Sequence, residues 1–135
     1  MNEKSKEKMR EQKTLIVEGL TNHFETIPLF EDEMAEDEEK VFVDSKYHLM
    51  VLQMGEFIPT SNTGGLTQTF TIDYYSEERD DVDEMLVDII TIVGKVPTVE
   101  FVRTNKLRAR VGDIDRFIDV VTLEFKRMVK YESRT

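Results

Sequence analysis

The chain has 135 residues and a formal net charge of −10, with 28 Asp and Glu against 18 Lys and Arg, two His, and no Cys or Trp. The lack of cysteine excludes a disulfide framework, a thiolate zinc site and a cysteine nucleophile. No apolar run approaches the ~20 residues of a membrane span, and residues 1–13 lack the apolar centre of a signal peptide. We therefore expect one soluble intracellular domain, or part of an assembly made inside a cell, whose acidity disfavours binding to duplex nucleic acid.

The charge is distributed unevenly along the chain. Residues 31–40 contribute −6 and residues 77–97 contribute −5, whereas residues 98–130 sum to +3. The first two thirds are therefore acidic and the part near the end is basic, and this polarity is more informative than the total.

The first predicted element is an amphipathic helix that starts near Thr14. Residues 1–13 are charged and almost free of apolar side chains, which predicts a frayed helical extension or a disordered arm. After them, apolar residues recur at helical spacing, at Ile16, Leu20, Phe24 and Ile27. Pro28 ends this helix, because proline lacks the backbone N–H and disfavours helix in the residue before it.

Strand-like sequence follows an acidic stretch. Seven carboxylates between Glu31 and Glu39 repel one another, which predicts a solvated loop over residues 31–40. Val41–Asp44 is typical of a short edge strand, and Tyr47–Ile58 of a strand covered on both faces. Pro59–Gly65 has loop composition. Thr67–Ser76 then alternates, which predicts a half-buried strand with one inward set of side chains: Phe70, Ile72 and Tyr74.

A second helix is predicted by an apolar stripe at i, i+3, i+4, i+7, i+8 and i+11: Val82, Met85, Leu86, Ile89, Ile90 and Val93. Asp81 followed by Glu84 resembles a capping box. Gly94 is placed as the residue after the helix, and Pro97 blocks its continuation.

The remaining sequence predicts two strands. Thr98–Arg103 leads through Thr104–Arg110 to a turn at Val111–Asp113, and Ile114–Lys130 is a long strand. Its alternation predicts inward residues (Phe117, Val121, Leu123 and Phe125) and outward ones (Arg116, Thr122, Glu124 and Lys126). The fold class is therefore α+β, in the order α-β(β)β-α-β-β: one domain over residues 1–135, with an antiparallel or mixed sheet of four to five strands and two helices on one face.

The residues that could carry catalysis or bind a metal are few. His23 and His48 are expected in structural roles, because no Cys or third His completes a zinc site. The acidic run lacks the spacing of a calcium loop. Asp113, Asp115 and Asp119 leave a metal-dependent nuclease as a minor alternative, although turns recruit Asp readily. We expect no enzyme, no cofactor and no metal.

Four cations lie within eight residues near the fourth strand: Arg103, Lys106, Arg108 and Arg110. One interpretation is an ordinary solvated hairpin. The other is that this cluster docks on the acidic region of a neighbouring copy, which holds Glu31, Asp32, Glu33, Glu36, Asp37, Glu38 and Glu39. A contact between two different patches is head-to-tail, so it closes into a ring or extends as a filament.

Three segments, Thr67–Glu77, Asp81–Lys95 and Phe101–Val129, together resemble the tail terminators (tail completion or head–tail joining proteins) of long-tailed bacteriophages and prophages. The resemblance covers about two thirds of the chain and does not extend to the acidic loop or the N-terminal arm. It implies a non-enzymatic virion protein at the head-proximal end of the tail, made in the host cytoplasm. It implies a hexameric ring that caps the tail tube protein, stops tail polymerisation and meets the head–tail connector protein, with genomic DNA passing through without specific binding and no membrane contact.

A second function stays open from the same sequence. The net charge and the run from Glu31 to Glu39 also suit a small acidic inhibitor that mimics DNA and binds a nucleic-acid enzyme.

Overall fold

The computed structural model describes residues 3–33, 46–60, 64–111 and 115–130. Its elements, in chain order, are α1 (Glu3–His23), β1 (Leu29–Glu31), β2 (His48–Pro59), β3 (Gly65–Ser76), α2 (Val82–Gly94), β4 (Val99–Arg110) and β5 (Phe117–Lys130). The predicted α+β class and element order are confirmed.

The five strands form one mixed sheet in the order β1-β2-β3-β5-β4. β1 runs parallel to β2, and every other neighbouring pair is antiparallel. The chain's last strand, β5, therefore lies between β3 and β4. β1 and β4 are the two edges, and β4 is four times longer than β1, with 12 residues against three.

Both helices pack on one face of the sheet and enclose the main core with it. The fully buried side chains at its centre are contributed by every layer: Ile16, Leu20, Ile89, Leu52, Phe70, Ile72, Tyr74, Leu123 and Phe125. The rings of Phe70 and Phe125 stack across the β3–β5 pair at 5.3 Å. The alternation predicted for β3 is confirmed, since Phe70, Ile72 and Tyr74 all point into this core.

Helix boundaries differ from the prediction at both helices. The charged residues before Thr14 are helical from Glu3 onward, and α1 already buries Ser5. α1 ends at His23 and not at Pro28, so Phe24 and Ile27 reach the core from the turn that follows the helix. α2 begins after Asp81, but the Asp81 carboxylate makes no capping bond because it pairs with Arg79. Gly94 is the last residue of α2 rather than the residue after it, since the backbone N–H of Lys95 still donates to the carbonyl of Ile92.

Strand predictions need four corrections. Glu31 is not in a loop, because it pairs with Leu52 at the end of β1. Thr104–Arg110 is not a connection but the outer half of β4. Phe117 is 41% exposed and Arg116 precedes β5, so neither fits its predicted place on that strand. β2 is buried on both faces only as far as Leu52 and is mostly exposed beyond it. The predicted strand at 41–44 lies outside the described residues, as does the predicted loop at 34–40.

Within the described ranges, neither helix is long and apolar enough to cross a membrane.

Candidate functional site: two oppositely charged edges of the sheet

The predicted basic cluster lies entirely on the edge strand β4. We call its four cations, Arg103, Lys106, Arg108 and Arg110, the basic edge. A bulge between Phe101 and Arg103 shifts the register, so that Arg103 lies opposite Glu124 while Lys106 lies opposite Val121. Because alternate residues of a strand point to opposite faces, Arg103 is on the open face of the sheet. The other three cations share the face that carries the helices.

Three of these cations contact a carboxylate of the same chain. Arg103 Nε lies 3.3 Å from Glu124, Lys106 Nζ lies 3.1 Å from Asp83 at the start of α2, and Arg110 lies 3.9 Å from Asp115. All three pairs are largely solvent-exposed, so each contributes little to stability and can be exchanged for another partner. Arg108 differs: its guanidinium lies 5.3 Å above the centre of the Phe117 ring.

Apolar side chains lie exposed among these cations. Val102 is 39% exposed and Leu107 is 66% exposed on β4 itself, and Phe101 and Phe117 are also exposed. Leu107 lies on the open face of the sheet, and Phe101 and Phe117 lie on the face that carries the helices, so both faces of this edge show apolar side chains beside charged ones. Exposed apolar side chains next to charges are typical of protein–protein interfaces.

The opposite edge of the sheet is acidic. We call Glu31, Asp32 and Glu33, at the end of β1, the acidic edge. The backbone fixes its shape: Asp32 has a positive φ of 69°, its N–H donates to the carbonyl of Leu52 at 2.8 Å, and its carbonyl accepts from the side chain of Gln53 at 2.9 Å. All three acidic residues are exposed, and Glu31 lies 3.6 Å from Lys13. Glu36, Asp37, Glu38 and Glu39 lie outside the described residues.

The sheet order separates the two charged edges. Four inter-strand spacings lie between β1 and β4, which amounts to about 19 Å. The acidic edge of one chain therefore cannot neutralise the basic edge of the same chain by direct contact. Arg, Lys and carboxylate side chains on opposite sides of one rigid sheet can meet only between two molecules.

The two histidines lie apart from one another. His23 is half-exposed at the end of α1, 4.0 Å from Asp88. His48 begins β2, where its Nε2 lies 2.8 Å from the hydroxyl of the fully buried Tyr74. Burial lowers the pKa of His48 and raises the pKa of Tyr74 to about 12. Both changes favour the neutral forms, as expected of a part-buried hydrogen-bonded pair.

The three aspartates considered for a nuclease are not brought together as a described group. Asp113 lies outside the described residues, Asp115 contacts Arg110, and Asp119 pairs in register with Ser76 and Arg108. Across the ranges that the structure covers, no three acidic or histidine side chains are grouped so as to hold a metal ion. The expectation of no enzymatic activity stays a prediction.

Two polar groups in the interior were not predicted. Glu77, only 6% exposed, accepts two bonds from Arg116, at 2.7 and 2.8 Å, and one from the N–H of Tyr47. Arg116 in turn lies over the Tyr47 ring. The hydrogen bonds from Arg116 lower the pKa of Glu77. Glu77 and Arg116 are 39 residues apart, and no local pattern links them.

The second group is the buried Arg127, which is 4% exposed. It donates to the side-chain oxygen of Gln68 at 2.7 and 2.9 Å and to the carbonyl of Met9 at 3.0 Å. Arg127 thereby attaches the early turns of α1 to the sheet, together with Gln12, whose amide contacts Thr98. From Val121 onward every second residue of β5 is buried, and Arg127 occupies one of these positions. That alternation was the signal in the sequence from which its burial could have been predicted.

Comparison with known proteins found no protein-family model that matches the chain and no curated protein with significant sequence similarity.

Proposed function

We propose that this protein is a bacteriophage or prophage tail terminator, a ring-forming virion protein that caps the tail tube and joins it to the head connector. The observation that carries the proposal is the placement of opposite charges on opposite edges of one sheet. The resemblance of Thr67–Glu77, Asp81–Lys95 and Phe101–Val129 to that family supports it from the sequence.

The charge arrangement favours head-to-tail association over a two-fold dimer. In a two-fold contact made through one edge alone, that edge faces its own copy, so a basic edge would meet a basic edge and repel it. In a head-to-tail contact the basic edge of one copy meets the acidic edge of the next, and every subunit repeats the same contact. If the rotation between subunits closes, the product is a ring.

The same charges suit the proposed partners. The tail tube and the connector would bind the two rims of the ring, and the genome would pass through its lumen. A subunit with a net charge of −10 repels phosphates over most of its surface, so DNA would pass without being held.

Electron microscopy and sedimentation of the full chain, with and without a phage tail tube protein, test the proposal. We expect rings, or tubes capped at one end and fixed in length. Arg108→Glu with Arg110→Glu should abolish capping and leave the circular dichroism unchanged. Lys4→Glu with Lys8→Glu, an equal charge change on exposed positions of α1, is the matched control and should cap normally.

Two results would contradict the proposal. Capping that survives the reversal on β4 would show that the basic edge is not an interface. A protein that stays monomeric beside tail tubes, and instead competes with DNA for a nuclease or polymerase, would favour the acidic inhibitor.

A further inference from the structure

Arg108 differs from the other three cations of the basic edge in what it contacts. Arg103, Lys106 and Arg110 each contact a carboxylate of their own chain. Among the described residues no carboxylate pairs with Arg108, although Asp119 lies directly across from it on β5. Its guanidinium instead lies over the ring of Phe117, and both side chains are exposed. We call Arg108 and Phe117 the stacked pair.

Stacking on an aromatic ring restricts the motion of a guanidinium group without occupying its N–H donors. The ring contacts the flat face of the group, whereas the five N–H donors point outward in its plane. Such a group loses less freedom when it binds than a mobile side chain does. The natural ligand of a planar, oriented N–H fork is a carboxylate, which accepts two parallel bonds.

We propose that the stacked pair is the central contact of the subunit interface, and that it binds a carboxylate of the acidic edge, Asp32 or Glu33, of a second copy of this chain. This inference rests on the proposed head-to-tail ring and names the residues that hold it together. The acidic edge of the same chain lies about 19 Å away across the sheet, so the carboxylate comes from a neighbour. Glu31 is the less suitable acceptor, because Lys13 already pairs with it.

The neighbouring side chains fit this role. Phe117, 41% exposed, lies on the same face of the sheet as Arg108, and a second copy that binds Arg108 would cover its ring. Covering the ring excludes water around the pair, which strengthens a charged hydrogen bond at the centre of an interface. The exposed ion pair of Lys106 lies two residues away on this face and that of Arg103 lies on the open face, so both are at the margin of the contact, where charges contribute less.

Single substitutions separate the stacked pair from the rest of the basic edge. Arg108→Ala should weaken subunit association by at least about 30-fold in sedimentation velocity or mass photometry, as loss of a central interface arginine does. Arg103→Ala removes a cation of the same strand that is bonded to Glu124, and it should change association by less than about threefold. Arg108→Lys keeps the charge but loses the planar fork, so its effect should lie between these two. Thermal unfolding of each isolated variant should match the wild type, since Arg108 is exposed.

A mixing experiment tests the second half of the interface. Asp32→Asn with Glu33→Gln removes the acceptor carboxylates, and Asn tolerates the positive φ at position 32. We expect this variant and Arg108→Ala each to stay monomeric where the wild type assembles. Mixed, they retain one intact contact, so they should form a 1:1 dimer that grows no further.

The outcomes distinguish the two proposals. If the wild type forms rings and Arg108→Ala forms them equally well, the stacked pair is not the central contact and the ring stands. If the single variants dissociate but their mixture gives no dimer, the acidic edge is not the partner of Arg108. A wild-type chain that stays monomeric at every concentration and on tail tubes overturns the ring, and the stacked pair with it.

Discussion

Replacing Gly55 with alanine is expected to destabilise the fold, because the strands approach closely there. Gly55 lies in the bulge of β2 between Met54 and Phe57. A Cβ at this position would lie 2.7 Å from the backbone oxygen of Thr69 and 2.8 Å from its hydroxyl. The hydroxyl can rotate away. The carbonyl cannot, because β3 is paired with β2 on one side and β5 on the other.

The magnitude follows from that geometry. An ordinary contact needs about 3.4 Å or more, so one strand must move by roughly 0.7 Å. The movement also strains the bond from the Gln68 amide to the Gly55 carbonyl, now 3.0 Å long. Overpacking of this kind costs about 1–3 kcal/mol. For a chain of this size that lowers the melting temperature by about 3–10 °C.

The assay is thermal and urea unfolding of Gly55→Ala beside Gly94→Ala. A Cβ at Gly94 meets nothing within 4 Å, and position 94 ends α2, so alanine there should stabilise by up to about 1 kcal/mol. Alanine should therefore lower the free energy of unfolding at position 55 and raise it at position 94. A Gly55→Ala protein as stable as the wild type would refute the close approach of β2 and β3.

Two further predictions concern the buried polar groups. Hydrogen bonds from Arg116 lower the pKa of Glu77 below its ordinary value. The ionised Glu77 therefore stabilises the folded state above about pH 4.5, and this contribution to the free energy of unfolding is lost as the pH falls below that value. Arg116→Met should reduce this dependence in acid unfolding curves, and an unchanged slope would exclude Glu77 as its source. Arg127→Met removes the bond to the Met9 carbonyl, so hydrogen exchange in the first three turns of α1 should accelerate at least about tenfold while β3 stays protected. Equal protection in both proteins would show that Arg127 does not hold α1.

The elements with strong periodicity were predictable from the sequence. The apolar stripe of α2 and the alternation of β3 both reflect contact with one continuous core, so burial and pattern agree. β4 carries no such alternation, since nearly all of its residues are exposed on both faces of an edge. For that reason its outer half resembled a connection. β1 was missed because three residues are too few for a pattern and its last one, Glu31, belongs to the acidic run.

The charged side chains show where sequence reasoning stops. It identified a basic cluster and an acidic run in the sequence. It could not place the basic cluster and Glu31–Glu33 on opposite edges, because that depends on β5 inserting between β3 and β4. Sequence reasoning also could not distinguish Arg108, which lies over the Phe117 ring at the surface, from Arg127, which is buried in the interior. Patterns treat every cation as solvated, whereas burial of a cation depends on partners distant in the chain, here Gln68 and Met9.

The position of β5 in the sheet has a consequence for the order in which the protein is made. β1, β2 and β3 emerge from the ribosome first and can pair at once, so the acidic edge can form early. β4 emerges next but has no neighbour until β5 is synthesised and enters between it and β3. Such non-local pairing is slow, and unpaired strands are open to wrong partners. The basic edge is therefore completed last, after the acidic edge and only when β5 has joined β4 to the rest of the sheet.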